Sequence, residues 1–116
     1  MSKFIGEKVL MRIFIGEAKR HGHRPLYEAL AELFLKEGFA GATVLRGVCG
    51  FGAHRVFHTQ KFLDLSADLP LVIEVVDSQE KIDTVMPKID EMVGSGMITL
   101  EKVKVILYTH KHEQGG

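Results

Sequence analysis

The sequence predicts an α+β fold in which two helices cover one face of an antiparallel sheet. Strand-like apolar segments and helix-periodic segments follow one another in the order β-α-β-β-α-β. Between the two middle strands lie about seventeen residues without a strong strand signal, whereas hairpin loops take about two to five. This order is that of the ferredoxin-like split βαβ arrangement, with one long loop between its second and third strands.

The first strand is predicted over Lys8–Ile15, where both alternating sets of side chains are largely apolar. We therefore expect both faces of this strand to be covered. A polar loop, Gly16–Arg24, follows. Pro25 suits the first turn of a helix because its missing N–H would have no partner there, and Gly38 is expected to end that helix. The apolar stripe of the helix consists of Leu26, Leu30, Leu33 and Phe34.

The second strand is predicted over residues 42–49 and runs into Gly50-Phe51-Gly52. Cys49 ends this apolar strand, so we expect it to be a small core residue. We expect Gly52 to adopt a positive φ or to lie close to a ligand. After the long loop, residues 71–76 form the third strand.

The second helix is predicted to begin at Asp77 or Ser78, because Asp77 and Glu80 have the spacing of a capping box. Pro87 lies within the helical pattern and is expected to kink or split the helix. Gly94-Ser95-Gly96 should end it. Residues 97–100 then form a short strand or turn, and the last strand is predicted over Val103–Tyr108.

The two helices leave the second face of the sheet uncovered, and its predicted composition is apolar. Such a face favours self-association. The apolar side chains assigned to it are Leu10, Phe14, Val44, Val72, Val76, Ile106 and Tyr108. The charged side chains assigned to the same register are Arg12, Arg46, Glu74 and Lys104. Two interpretations stay open for the charged set: pairing across strands inside an oligomer, or a solvated patch.

Length and charge limit the class of protein. A chain of 116 residues fits one domain, 1–116, with a core over about 8–109 and a flexible tail at 110–116. Lys+Arg and Asp+Glu number 15 each, which argues against nucleic acid as a partner. One cysteine excludes an intrachain disulfide. The sequence shows neither a signal-peptide pattern nor a membrane-spanning apolar run, so we predict a cytoplasmic protein.

Several motifs resemble those of a known family. Five motifs are similar to those of an uncharacterised family of PII-like proteins and, more distantly, to those of the PII nitrogen-regulatory proteins. The motifs are Ile15-Gly16-Glu17, Pro25–Leu30, Gly41–Val44, Arg46-Gly47 and Gly50–Gly52. The resemblance implies a homotrimer of ferredoxin-like subunits with an adenine nucleotide, ADP or ATP, bound between subunits. It also implies a regulatory role, in which the loop over residues 50–60 reports the nucleotide to a partner protein. A membrane transporter is one candidate partner.

The resemblance also implies where the nucleotide binds. The positions that match the base of the PII loop are Gly50, Phe51, Gly52, Ala53 and His54. The sequence departs from true PII at the phosphates: Gly94–Thr99 has no lysine, and the positions near Leu107 and Thr109 are not cationic. The replacement cations are Lys19, Arg20 and Arg24, which lie in the loop before the first helix. The alternative for these three is a solvated basic loop.

Other chemistry receives less support from the sequence. A trimeric metal-responsive protein is the alternative function, with His21, His23, His54, His58, His110, His112 and Cys49 as the available ligands. A purely structural interaction domain is a third possibility. Phe51, Phe57 and Phe62 either stack on bases or pin the loop to the body. No nucleophile–base pair is apparent, so we predict that the protein is not an enzyme.

Overall fold

A computed structural model describes residues 4–52, 56–59 and 68–109 of the chain. The elements in chain order are β1 (Gly6–Gly16), β2 (Arg20–His21), β3 (Arg24–Pro25), α1 (Leu26–Lys36), β4 (Thr43–Arg46), β5 (Cys49–Gly50), β6 (His58–Thr59), β7 (Pro70–Asp77), α2 (Gln79–Val93) and β8 (Met97–Val105).

Four strands form the main sheet in the order β4-β7-β1-β8, and every neighbouring pair is antiparallel. With α1 and α2 between the strands, this confirms the predicted ferredoxin-like α+β fold. Two short additions accompany the sheet. β2 pairs with β3 inside the predicted polar loop, and β5 pairs with β6 at the start of the long loop.

The core lies between the helices and one face of the sheet, because alternate residues of a strand point to the same side. The odd-numbered residues of β1 from Val9 to Ile15 are buried, whereas the even-numbered residues from Lys8 to Phe14 are only half-buried in one copy of the chain. The fully or nearly fully buried partners from the other elements are Leu26, Leu30, Phe34, Leu71, Ile73, Val75, Ile82, Val85, Ile89 and Val93.

The first helix begins one residue later than predicted, and the second begins at the predicted place but with a different cap. Pro25 is the residue before α1, with extended ψ of 135°, and not part of the first turn. Ser78 is the N-cap of α2, and its hydroxyl accepts a hydrogen bond from the Lys81 amide at 3.2 Å. Asp77 is buried and instead accepts from the amides of Ser78 (2.8 Å) and Ala40 (3.1 Å). Asp77 therefore ties the α1–β4 connection to the start of α2.

Pro87 does not split the second helix, since α2 runs without a break over Gln79–Val93. Proline removes one backbone hydrogen bond from a helix interior. Val85 and Ile89, on either side of Pro87, are both fully buried in the same core. Packing on both sides of Pro87 therefore keeps α2 continuous although one bond is missing.

The last strand also differs from the prediction. β8 is one strand of nine residues, and it ends at Val105, before Ile106 and Tyr108. The pairing with β1 explains this end, because Val105 lies opposite Gly6, the first residue of β1. The chain beyond Val105 has no further residue of β1 with which to pair.

The uncovered sheet face, which we call the open face, has a partly different membership from the one predicted. Val44 lies opposite Ile73 and packs against the core, so Leu45, opposite Val72, takes its place on the open face. Arg46, opposite Leu71, is also in the core-side register. A strand alternates with a period of two, so a phase error of one residue exchanges the faces.

Lys104 does not lie on the same face of the sheet as Arg12 either. It lies opposite Glu7, while Arg12 lies opposite Glu74 and Thr99. Arg12 and Glu74 do share the open face, as predicted. Their pairing is described below.

Gly96 provides a test of packing at the end of the sheet. A Cβ added there would lie 2.8 Å from the backbone oxygen of Phe14 and 3.1 Å from Val93 Cγ1. We expect Gly96→Ala to lower the free energy of unfolding by about 1–3 kcal/mol, the usual cost of overpacking. Gly41→Ala is the control, because a Cβ at Gly41 would meet nothing within 4 Å. Urea unfolding measures the free energy of unfolding of both variants, and equal values would contradict the close packing of Gly96 against Phe14 and Val93.

Candidate functional site

One end of the sheet brings together the segments that the sequence singles out. The amide of Gly47, just after β4, donates to the Pro70 carbonyl oxygen at 2.7 Å. The amide of Glu17, just after β1, donates to the Leu69 carbonyl oxygen at 2.8 Å. We call residues 16–20, 46–52, 68–70 and 94–96 the loop end. Both visible ends of the long loop are thus bonded to the body through backbone groups.

The glycines before the long loop are required by Pro70. A Cβ added at Gly47 would lie 2.9 Å from Pro70 Cγ, and one at Gly50 would lie 3.2 Å from the same atom. Gly50 also has φ of +155°, a conformation that residues with a side chain rarely adopt. The positive φ expected at Gly52 is therefore wrong and falls on Gly50 instead. At Gly52 an added Cβ would meet no atom of the described residues within 4 Å.

Lys19 does not point into open solvent but binds the end of α2. Its Nζ donates to the carbonyl oxygens of Val93 (3.2 Å) and Ser95 (2.8 Å) and to Ser95 Oγ (2.7 Å). An ammonium group has three donors, so these contacts use all of them. A cation near the last carbonyls of a helix is favourable because those groups carry partial negative charge. Lys19 therefore joins the β1–α1 connection to the loop before β8.

The two arginines of the same connection also have partners within the chain. Arg20 Nη2 donates to the His23 carbonyl oxygen across the β2–β3 turn. Arg24 Nη1 pairs with Glu32 Oε1 of α1 at 2.8 Å. The Arg24 guanidinium, chiefly through this hydrogen bond, holds the pKa of Glu32 below its ordinary value. The partner of Arg20 thus lies in the β2–β3 turn, whereas the partner of Arg24 lies on α1.

Three further side chains at the loop end were not among the predicted site residues. Arg46 Nη2 pairs with Glu17 Oε2 and so joins the end of β4 to the segment after β1. Asp68 Oδ1 accepts from the Ala18 amide at 2.7 Å. The Asp68 carboxylate also lies over Gly16, where an added Cβ would be 2.5 Å from Oδ1. The sequence signals were the Gly16-Glu17 pair and an acidic residue just before a strand.

The other predicted site residues are only partly placed. Phe51 and Gly52 are exposed at the start of the long loop, with 59% of Phe51 accessible. Ala53 and His54 lie outside the described residues, as do Phe62, His110, His112 and the tail 110–116. Phe57 is exposed, so within the described residues it does not pin the loop to the body.

The histidines and the cysteine do not form a visible cluster. Among the described residues there is no group of three or more His, Cys, Asp or Glu side chains placed to hold a metal ion. Cys49 is exposed in one copy of the chain, which contradicts its predicted place in the core. β5 explains this, because Cys49 pairs with Thr59 of β6 in a separate small sheet away from the core.

A surface depression of about 420 Å³ lies at the opposite end of β1 from the loop end. Glu7, Lys102, Val103 and Lys104 line it. None of the sequence-predicted site residues contributes to this depression. A ligand held at the loop end would therefore need walls other than those of this depression.

Comparison with known proteins identifies the family. Residues 8–105 match the DUF190 family, described as uncharacterized. The chain belongs to this family. A UPF0166 protein of Aquifex aeolicus (strain VF5) is 37% identical over 100 residues, 86% of this chain and 94% of that protein. A UPF0166 protein of Methanocaldococcus jannaschii is 34% identical over 92 residues, 78% of this chain and 84% of that protein.

Solved structures share the fold of this DUF190 chain. CPII of Thiomonas intermedia K12, bound to ADP and bicarbonate, superposes with a TM-score of 0.57 at 17% identity, covering 85% of this chain and 88% of CPII. Another CPII structure, bound to ADP, AMP and bicarbonate, gives a TM-score of 0.58 at 16% identity, with 85% and 88% covered. The predicted PII-like fold is confirmed.

A second group of neighbours has a different description. The divalent ion tolerance protein CutA1 of Ehrlichia chaffeensis gives a TM-score of 0.55 at 8% identity, covering 90% of this chain and 86% of CutA1. At such identities the likeness establishes the fold alone. Within the described part of the DUF190 chain, neither helix is long and apolar enough to cross a bilayer.

The role of Lys19 as a clamp on α2 can be tested by stability. Lys19→Met removes three hydrogen bonds from a charged donor. We expect the free energy of unfolding to fall by about 1 kcal/mol, which is less than the usual value for hydrogen bonds to a charged group because solvent screens these contacts. Lys36→Met is the control, because Lys36 is 72% exposed and makes only a 3.5 Å pair with Glu32. Chemical unfolding should separate the variants; a Lys19→Met protein as stable as Lys36→Met would show that the clamp contributes nothing.

Proposed function

We propose that this protein is a PII-like regulatory protein that binds an adenine nucleotide at the loop end and reports it to a partner protein. The observation that carries the proposal is the convergence of four loop segments on Pro70 and the end of α2. Backbone hydrogen bonds fix the segments on either side of the long loop. A ligand that contacts residues 50–52 would therefore act directly on the start of that loop.

The ligand class is supported by the fold neighbours. CPII shares this fold and was crystallised with ADP, with AMP and with bicarbonate. A glycine has no side chain to block the approach of a ligand to the backbone, and backbone amides are suitable donors to phosphate and other anions. The chain has no surplus of positive charge, so local donors rather than net charge would hold the phosphates.

Arg20 is the side chain that best fits the phosphate role among the three predicted cations. Lys19 has all its donors engaged at the end of α2, and Arg24 is paired with a carboxylate. Arg20 is exposed and donates only to a carbonyl oxygen in its own turn, among the contacts described. Exchanging that single neutral acceptor for a phosphate oxygen costs less than breaking an ion pair.

A homotrimer would complete the site. The open face carries half-buried apolar side chains on β1 and β7 that a second copy would cover. A neighbouring copy would also supply a wall to the loop end. The nucleotide would then lie between subunits, as the resemblance to PII implies.

Binding and assembly test the proposal directly. A thermal-shift screen with ATP, ADP, AMP, adenosine, GTP and divalent metals should show stabilisation by the adenine nucleotides, because a ligand of the native state raises the melting temperature. Sedimentation should give about three times the 13.0 kDa mass of the chain. Stabilisation by metals alone would favour the metal-responsive alternative and reject the nucleotide.

Gly52 is the sharpest probe of ligand approach. Among the described residues no neighbouring atom opposes a side chain there, and φ is not positive, so Gly52→Val should fold normally. We expect at least about a tenfold loss of ADP affinity, because the valine would occupy space next to the ligand. Gly41→Val is the matched control, since Gly41 is equally open. Calorimetric affinities that are the same for both variants would place the ligand elsewhere.

The phosphate role of Arg20 requires a comparison of two ligands. Arg20→Ala should weaken ADP binding by about tenfold or more, the value of one charge-assisted hydrogen bond, and leave adenosine binding unchanged. Lys88→Ala serves as control, because Lys88 pairs with Glu37 at the surface between the two helices. Equal losses for ADP and adenosine would mean that Arg20 supports the turn rather than the phosphates.

A further inference from the structure

The pairing register arranges the open face into rows that cross the sheet. One row, nearest the loop end, is apolar and consists of Leu45, Val72, Phe14 and Met97. The next row is polar and consists of Thr43, Glu74, Arg12 and Thr99. The third row contains Val76, Leu10 and Glu101. A polar row thus lies between an apolar row on the side of the loop end and a mixed row that contains Glu101.

The two charges of the polar row and Glu101 of the next row form one connected group, which we call the ion triad: Arg12, Glu74 and Glu101. Arg12 Nε binds Glu74 Oε2 at 2.9 Å, and Arg12 Nη1 binds Glu101 Oε1 at 3.1 Å. The side chains are 37%, 32% and 60% exposed. The Glu74 hydrogen bond, followed by that of Glu101, holds the pKa of Arg12 above its ordinary value. A guanidinium does not lose its proton in proteins, so Arg12 carries a positive charge in this contact.

The charge of the open face fits a second copy of the same chain. Lys8 lies opposite Val103 on this face, so two cations and two carboxylates balance there. The whole chain is likewise neutral, with 15 residues of each sign, and copies would not repel one another. A partner of strong net charge would gain nothing from this face, whereas another copy presents the same apolar rows and the same balanced charges.

We propose that the ion triad selects one arrangement of the copies that meet on the open face. The proposal rests on the assembly put forward under Proposed function. Apolar rows can slide past one another at little cost, but a charged group moved against an apolar row loses its solvation without gaining a partner. The triad therefore excludes arrangements that place it against the Leu45–Met97 row of a neighbour.

The experiment compares the removal of one member with the removal of all three. Arg12→Met leaves two carboxylates unpaired in the contact and should weaken the assembly. On dilution, we expect the variant to dissociate at a protein concentration at least about tenfold higher than the concentration at which the wild type dissociates. The triple variant Arg12→Met, Glu74→Leu, Glu101→Leu should assemble again, but into a mixture of sizes, because no charge remains to select one. Sedimentation velocity over a dilution series measures both.

The matched control is Arg24→Met, which removes the Arg24–Glu32 pair on the helix side of the protein. Circular dichroism checks that each variant is folded. If Arg12→Met does not fold, Arg12→Lys is compared with Arg24→Lys. Lysine keeps the positive charge but lacks the planar guanidinium that binds two carboxylates through different nitrogens.

The outcomes separate the two proposals. A monomeric wild type would overturn both the trimer and the role of the triad. A wild-type trimer in which Arg12→Met assembles as tightly as Arg24→Met would overturn this inference alone. A triple variant that forms only one size of assembly, the same as the wild type, would show that the triad selects nothing.

Discussion

The register of β1 against its two neighbours determines most of this structure. β1 pairs with β7 on one side and with β8 on the other, and each pairing extends over most of its length. That register turns Met11 and Ile13 toward the helices and Arg12 toward the open face. It also brings the end of β1 next to Pro70, where the loop end is built. A shift of one residue would exchange core and open face along the whole strand.

The loop end is held mainly by backbone groups and by side chains that bind backbone groups. Gly47 and Glu17 are attached through their amides, Lys19 through the carbonyl oxygens at the end of α2, and Asp68 through the amide of Ala18. Such contacts fix the path of the chain without using the side chains of residues 50–52. This leaves the glycine segment available for a ligand. Lys19 also connects the loop before α1 to the loop before β8, so that the two loops are expected to move together.

The cations near this unit show why charge alone is a poor guide to a binding site. The sequence contains Lys19, Arg20 and Arg24 within a short polar segment, and each of them is a reasonable phosphate ligand by residue type. In the folded chain Lys19 stabilises the end of a helix and Arg24 pairs with α1. Arg46, which sequence reasoning assigned to the open face, lies instead at the loop end beside Glu17. The partners of Lys19 and Arg46 come from distant parts of the chain, so their roles do not follow from the local sequence.

Apolar periodicity and glycine-containing motifs are local properties, so the order of the elements, the core positions of β1 and β7, and the family could be predicted from the sequence. The same holds for the long loop after Gly50-Phe51-Gly52. The phase of β4, the end of β8 opposite Gly6 and the exposure of Cys49 could not, since they depend on pairing with strands far away in the chain. The partner of a charged side chain is likewise a long-range property. For that reason the ion triad and the Lys19 clamp became visible only once β7, β8 and α2 were in place.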